Sequence, residues 1–362
     1  MLEGEELNIL HVVPGLDNPF NGIAVAAKLI AGEQVAEIID ARDFGKIKDL
    51  AKYGEVWVHS CWLPMTLKAC WRVVKAKRPL VRMTHANLDP VRLRYHGWKK
   101  RLAGPIERWA LRRCEKIVAT CDAEKEWIEA YLGKKCPEIE VEDVKRFFDL
   151  AVSGQRLAVS EGELAVSGQS LAVSGGELAV SGQSLAVSQD GSSSELDTRN
   201  RELHVLYLGR RHPLKGVEFL ETAVSELNSS TPPLRTPPHL KIVSNAFGEE
   251  LEKIWDWCDV LVLPTLSENF GLVVAEALER GKRVITTDGA PVWGEESGGV
   301  MECGSDGVME CGSDGVESRY GWRLLYLKGY RDGSEEERVE LLKKAILFLA
   351  AKNAKGAKGL YD

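Results

Sequence analysis

The sequence predicts an α/β protein made of two doubly wound domains, each a parallel sheet covered by helices on both faces. Three observations predict it. Short apolar runs alternate with longer amphipathic segments from the start, the alternation stops at a seven-residue repeat beginning at Leu150, and it resumes at Leu203. A chain of 362 residues, 44% of them hydrophobic, is long enough to bury two such cores.

In the first domain, residues 1–149, strands are expected at Asn8–Val13, Glu37–Asp40, Glu55–Ser60, Leu80–His85, Lys116–Cys121 and Glu138–Glu142. Helices fit between them. Asn21-Gly22 opens one over Ile23–Ala31, Pro64 begins another, and Ala123–Leu132 stops at Gly133. From Leu150 six units each start Leu-Ala-Val-Ser, with Gly and Ser near their ends and no charged flanks. That composition argues against a coiled-coil seam; short strands separated by Gly turns in a small meander are one reading, and a flexible insert at 150–200 created by tandem duplication is the expected one. The second domain, residues 201–333, has expected strands at Leu203–Gly209, Leu240–Ser244, Val260–Pro264, Arg283–Asp288 and Arg323–Leu327. Its helices fall near Lys215–Leu227, Glu249–Cys258 and Phe270–Arg280. A second duplication, Val-Met-Glu-Cys-Gly-Ser-Asp-Gly, occupies 300–315 and reads as a surface loop. A last helix within 334–362 is expected to cross back to the first domain. Facing domains of this kind place a cleft at the carboxyl ends of both sheets.

Composition excludes several classes. A net charge of −7 argues against a surface built for nucleic acid. The eight cysteines contain no Cys-x-x-Cys pair, so reduced thiols and a cytoplasmic setting are expected, with no metal site. No apolar stretch is long enough to span a bilayer, and any membrane contact is expected to be peripheral. Pro14-Gly15-Leu16 follows the first strand where a nicotinamide-dependent oxidoreductase would carry Gly-x-Gly-x-x-Gly.

Two stretches point to anion chemistry. Ser267-Glu268-Asn269-Phe270-Gly271-Leu272 follows the apolar strand at Val260–Pro264 and leads into a helix expected to start near Phe270. The free N–H groups and positive end of such a helix attract a phosphate, and Gly271 would let it approach the backbone. Glu276 lies farther into that helix; taken alone, Glu268 reads equally well as a capping acid and Glu276 as part of a solvated face. Gly209-Arg210-Arg211-His212-Pro213-Leu214-Lys215-Gly216 follows another strand, and its Arg210 fork and Lys215 point charge suit a diphosphate.

Together these stretches resemble the group 1 glycosyltransferases, family 4, which have the GT-B fold of two Rossmann-like domains. Gly209–Gly216 is similar to the family's Gly-Arg-x4-Lys-Gly, and Glu268 to Glu276 to its Glu-x7-Glu element. Arg283–Pro291 resembles the strand and loop that follow, and Thr84-His85-Ala86-Asn87-Leu88-Asp89-Pro90 with Trp98–Leu102 resembles a branch found in bacterial polysaccharide and lipopolysaccharide assembly. The resemblance implies a retaining hexosyltransferase that uses a nucleotide diphosphate sugar and no obligatory cofactor or metal. It implies that Arg210 and Lys215 hold the diphosphate, that Glu268 contacts sugar hydroxyls, and that His85 faces the sugar. Asn269, Phe270, Gly271 and Leu272 would meet sugar and phosphate through their backbone, Glu276 the ribose, and Gly22 the diphosphate or acceptor. The family's Pro-Asn-Gly crossing segment is missing, and Ser225–Leu240 is short and Pro-rich; both put domain closure at stake. A catalytically silent member that binds a nucleotide sugar or a partner protein is the alternative.

Between Lys68 and Lys116 fifteen basic residues face three acidic ones, a local +12 in an acidic chain. Within it Arg92, Arg94, Lys99, Lys100 and Arg101 mingle with Trp98, a mixture that favours an anionic membrane surface or a lipid-linked or saccharide acceptor. A basic solvated helix face is the plainer reading of the same residues.

Overall fold

The computed structural model describes residues 8–18, 21–142, 158–160, 163–165, 202–230, 237–294, 299–302, 311–312 and 323–354. The first sheet contains β1 (Ile9–Val13), β2 (Glu37–Asp40), β3 (Glu55–His59), β4 (Leu80–Met83), β5 (Lys116–Ala119) and β6 (Glu138–Val141). Its order is β2-β1-β3-β4-β5-β6, and every pairing is parallel. Helices α1 (Gly22–Glu33), α2 (Pro64–Lys75), α3 (Pro90–Arg94), α4 (Gly97–Leu111) and α5 (Asp122–Leu132) connect the strands. Four of the five residues of β1 and of β3 are buried, as a sheet covered on both faces requires.

Local chemistry sets the helix ends. Asn21 caps α1 by accepting from the Ile23 N–H at 3.2 Å, while its amide donates to the Pro14 carbonyl at 2.7 Å and so ties the cap to the end of β1. Asp89 caps α3 in the same way through Val91, ahead of Pro90 at the first helical position. Gly133, at φ 64°, ends α5.

The hairpin strands β7 (Ala158–Ser160) and β8 (Glu163–Ala165) pair antiparallel. The expectation of a flexible insert otherwise lies outside the described residues, as does most of the 300–315 duplication; the described residues of that duplication, 300–302 and 311–312, belong to strands of the second sheet rather than to the expected loop. In the second domain come β9 (Leu203–Leu208), α6 (Val217–Asn228), β10 (Pro238–Val243), α7 (Gly248–Trp257), β11 (Val260–Leu263), α8 (Leu272–Glu279), β12 (Arg283–Thr287), β13 (Gly299–Glu302), β14 (Cys311–Gly312), β15 (Leu324–Lys328) and α9 (Glu335–Ala354). The sheet order is β10-β9-β11-β12-β15-β13-β14, parallel except for the β13–β14 pair. The molecule thus has the two parallel-sheet α/β domains that the sequence predicts.

Two expectations are corrected. Helix α8 begins at Leu272, two residues later than expected, because Gly271 takes a left-handed φ of 72° and Phe270 is buried against Trp293. Over its described residues, helix α9 stays with the second domain rather than crossing to the first. It packs against α6 of its own domain, where Leu341, Leu342, Ala345 and Ile346 are buried and Lys343 pairs with Glu226 at 2.9 Å.

Candidate active site

Strand ends from both sheets converge on the cleft between the domains. On the second-domain side three loops interlock. After β9, Pro213–Lys215 makes a single 3-10 turn, and Gly216 then adopts φ 60°. A side chain could not replace that glycine, since a Cβ would stand 2.1 Å from the Pro264 carbonyl. After β11, Leu266 donates to the Leu214 carbonyl at 2.9 Å, and Glu268 donates from its backbone to Gly289, in the loop after β12, at 2.7 Å. The close packing brings the Lys215 ammonium onto the Glu268 carboxylate, with the two side chains only 18% and 17% exposed. Burial works to raise the Glu268 carboxyl, but Lys215 and Arg92 outweigh it and hold the group below its ordinary value. Its other oxygen accepts from the Asn269 N–H at 3.0 Å.

The two neighbouring arginines have different fates. Arg211 forms a forked pair with Glu221 at 2.5 and 3.0 Å, whereas Arg210 is exposed and makes no ion pair among the described residues. Glu276, half-buried on α8, makes no side-chain hydrogen bond among the described residues; burial raises its carboxyl. Phe270 contributes packing: its ring is edge-on to Trp293, whose indole donates to the Phe270 carbonyl at 2.6 Å. Gly271 and Leu272 cap and start α8, and a Cβ built on Gly271 would stand 3.5 Å from the Glu268 side chain, so that carboxylate lies beside the amino end of α8.

On the first-domain side, His85 and Ala86 follow β4 with φ of 53° and 55°, a costly backbone for residues with side chains. A buried carboxylate holds them there. Glu124 accepts from the Ala86 N–H and the Thr84 hydroxyl, both at 2.5 Å, and from the Thr120 N–H at 2.8 Å and hydroxyl at 2.7 Å. His85 is fully buried, with Nδ1 3.1 Å from the Asn269 amide nitrogen of the other domain.

Further contacts span the cleft. The Ser267 hydroxyl donates to Asp89, Arg331 pairs with the same carboxylate, and the Arg92 guanidinium donates to Ser267 Oγ at 2.8 Å. Tyr95 lies edge-on to His212 at 5.0 Å, and a Cβ built on Gly22 would stand 3.9 Å from Leu272. The structure therefore gathers Gly22, His85, Lys215, Glu268, Asn269, Gly271 and Leu272 at the cleft.

It divides the basic segment. Arg94, Trp98, Lys99 and Arg101 are exposed, but Arg92 serves the cleft and Lys100 donates inward to the Arg92 carbonyl, its ammonium depressed by burial and by Arg92. Both are half-buried and turned inward, away from the exposed face. Several other cations of the segment cap carbonyls: Arg72 reaches Ile47, Arg108 reaches Tyr131 and Arg112 reaches Leu132. Arg82 is wholly buried and paired with Glu107 at 2.7 Å.

Glu124, Arg331, His11 and His59 carry no motif in the sequence that marks them, and Asp89 and Ser267 lie within motifs without an implied role. Asp89-Pro90 carried a helix-start signal. Glu124 reads as an ordinary first-turn acid, and Arg331 has no local signature.

Fold and site together define a two-domain enzyme with a cationic, helix-capped cleft. Residues 15–141 match the family model of the glycosyl transferase 4-like domain, and residues 202–309 match that of glycosyl transferases group 1. The chain belongs to the group 1 glycosyltransferases and has their GT-B fold. Among solved structures, sucrose-phosphate synthase from Thermosynechococcus elongatus shares the fold at a TM-score of 0.51 and 11% identity, covering 96% of this chain and 98% of its own. The α,α-trehalose 6-phosphate synthase from Burkholderia multivorans does so at 0.51 and 10%, covering 96% and 92%. A UDP-forming α,α-trehalose-phosphate synthase from Burkholderia vietnamiensis does so at 0.50 and 10%, covering 96% and 93%. No curated protein sequence matches the chain.

Proposed function

We propose that this glycosyltransferase moves a hexosyl group from a nucleoside diphosphate sugar to a hydroxyl of a lipid-linked or cell-surface saccharide, with retention of anomeric configuration. The observation that carries the donor assignment is the shielded Lys215–Glu268 pair set beside the amino end of α8. Arg210 and Lys215 neutralise the diphosphate, and the first N–H groups of α8 add fixed positive potential where charge builds on the leaving group. Glu268, kept ionised by Lys215 and Arg92, accepts hydrogen bonds from sugar hydroxyls. Glu276 takes the ribose hydroxyls, and His85 meets the sugar from the opposite wall. The UDP-forming synthase of like fold supports a nucleoside diphosphate as the leaving group. With the diphosphate charge met by side chains and backbone, transfer requires no metal and proceeds in EDTA.

The exposed face of α4 supports an acceptor held at an anionic bilayer, and the inner leaflet of a bacterial cytoplasmic membrane is the surface we assign to it. No helix among the described residues is long and apolar enough to cross a membrane.

Turnover of nucleoside diphosphate sugars by the purified protein, followed as nucleotide release, tests the reading. Lys215→Ala and Glu268→Gln are each expected to lower kcat by about 10²–10³-fold. Binding of a donor without turnover by the unaltered protein would establish the silent, nucleotide-sugar-binding alternative instead.

A further inference from the structure

Three imidazoles form a line through the first domain, on neighbouring strands. His11 lies in β1, His59 ends β3 and His85 follows β4; all three are fully buried. His11 Nδ1 is 2.8 Å from His59 Nε2, and His59 Nδ1 is 2.8 Å from His85 Nε2. The geometry repeats along the line, with ring centroids 5.1 Å apart and planes tilted 31° at each step. Amides close both ends. His11 Nε2 lies 2.8 Å from Gln34 Oε1 just past α1, and His85 Nδ1 faces the Asn269 nitrogen in the cleft.

Proton counting restricts this chain. Each nitrogen-to-nitrogen contact holds one proton, neither none nor two, and a neutral imidazole carries one proton on two nitrogens. All three neutral rings must therefore share one tautomer. Gln34 Oε1 accepts at the outer end and the Asn269 nitrogen donates at the inner end, and both ends ask for Nε2–H on every ring. Burial keeps the rings neutral: it depresses His11 to about 4, His85 to about 3 with help from Arg92, and His59 well below its ordinary value. Turning over both terminal amides would reverse the whole line to Nδ1–H. Thr120, whose hydroxyl proton serves Glu124, could then accept from Asn269.

We propose that His11 and His59 are positioning residues that fix His85 in the Nε2–H form, so that its Nδ1 lone pair meets the cleft as an acceptor for a hydroxyl of the donor sugar. The assignment rests on the placement of His85 at the sugar in the proposed function. A hydroxyl donating to Nδ1 takes the same place as the Asn269 amide. The outer end of the line thus sets, through two intervening rings, which hydrogen-bond role the cleft presents.

Long-range nitrogen–proton NMR of the histidine-labelled, ligand-free protein at pH 7 reads the tautomers directly. Three Nε2–H rings are expected; all-Nδ1–H, mixed or charged rings would overturn the proposal. Gln34→Lys, at a partly exposed position, replaces the terminal acceptor by a donor and is expected to convert His85 to Nδ1–H. Its donor KM is then expected to rise about tenfold, with kcat changed less. A folded Gln34→Lys protein whose His85 keeps Nε2–H would also overturn the proposal. The tautomers are read without donor, so failure of the proposed transfer reaction shows separately, as an unaltered protein that takes no nucleotide sugar.

Discussion

Single side chains in this protein act through what buries them. His11 and His85 titrate at about 4 and 3 in the folded chain, against 6.5 when unfolded, so the unfolded state takes up protons first as pH falls. Stability from these two groups is therefore full above pH 6.5 and declines as pH falls from there to about 3, with about 3 kcal/mol lost by pH 4 for His11 alone. Glu276 and Asp288, whose carboxyls burial raises, oppose this trend. The difference between the unaltered protein and His11→Phe isolates the imidazole contribution: urea unfolding at pH 7 and pH 5 should show a shallower pH dependence in the variant. Equal slopes would mean that His11 is not buried neutral. At the same scale, Lys215 and Glu268 stood out in the sequence because the motifs that hold them resemble those of a known family. His59 and Glu124 did not, because their roles depend on neighbours 26 to 48 residues away.

Elements carry the next level of organisation. Most parallel strands were legible to within two residues, since a strand buried on both faces must be a short continuous apolar run, but β13 falls in a duplication that reads as a loop. Helix starts were less so: α8 begins late because Gly271 and the buried Phe270 ring reshape the loop before it. Helix α4 shows a different mismatch. Trp98, Leu102 and Ile106, four residues apart on one face, are 65%, 72% and 55% exposed, beside Lys99 and Arg101. An apolar stripe flanked by cations is suited to the interfacial zone of an anionic bilayer. Sedimentation with vesicles containing phosphatidylglycerol should carry the protein down. Trp98→Ser with Leu102→Ser should abolish that binding, and Lys99→Glu with Arg101→Glu should weaken it by about tenfold or more at low salt. Unchanged binding in both pairs would remove α4 from the interface.

At the scale of the whole molecule, the missing crossing segment put closure of the two domains at stake. The domains meet through Asp89, which accepts from Ser267 and Arg331 of the second domain and caps α3 of its own. Arg331 also stands over Trp127 at 4.9 Å. A fully buried carboxylate that loses its cation retains the cost of desolvation, so this latch matters more than a surface pair of the same length. Arg331→Ala is expected to open the cleft, seen as a larger radius of gyration in solution scattering, and to weaken nucleotide-sugar binding by about tenfold or more. An unchanged radius and affinity would show that other contacts hold the domains together.

The sequence by itself determined the two doubly wound domains and the strand-loop-helix frames that carry Arg210, Lys215, Glu268 and Glu276, because apolar periodicity is a local property of the chain. Only the tertiary structure decided which of the many cations face the cleft, which face outward and which cap carbonyls, and that His11, His59 and His85 form one line. Hydrogen-bond partners and burial depend on residues brought together from different strands and domains, and composition averages over them. The basic segment illustrates the difference: its charge is plain in the sequence, but its division among cleft, interior and exposed helix face arises only when the chain folds.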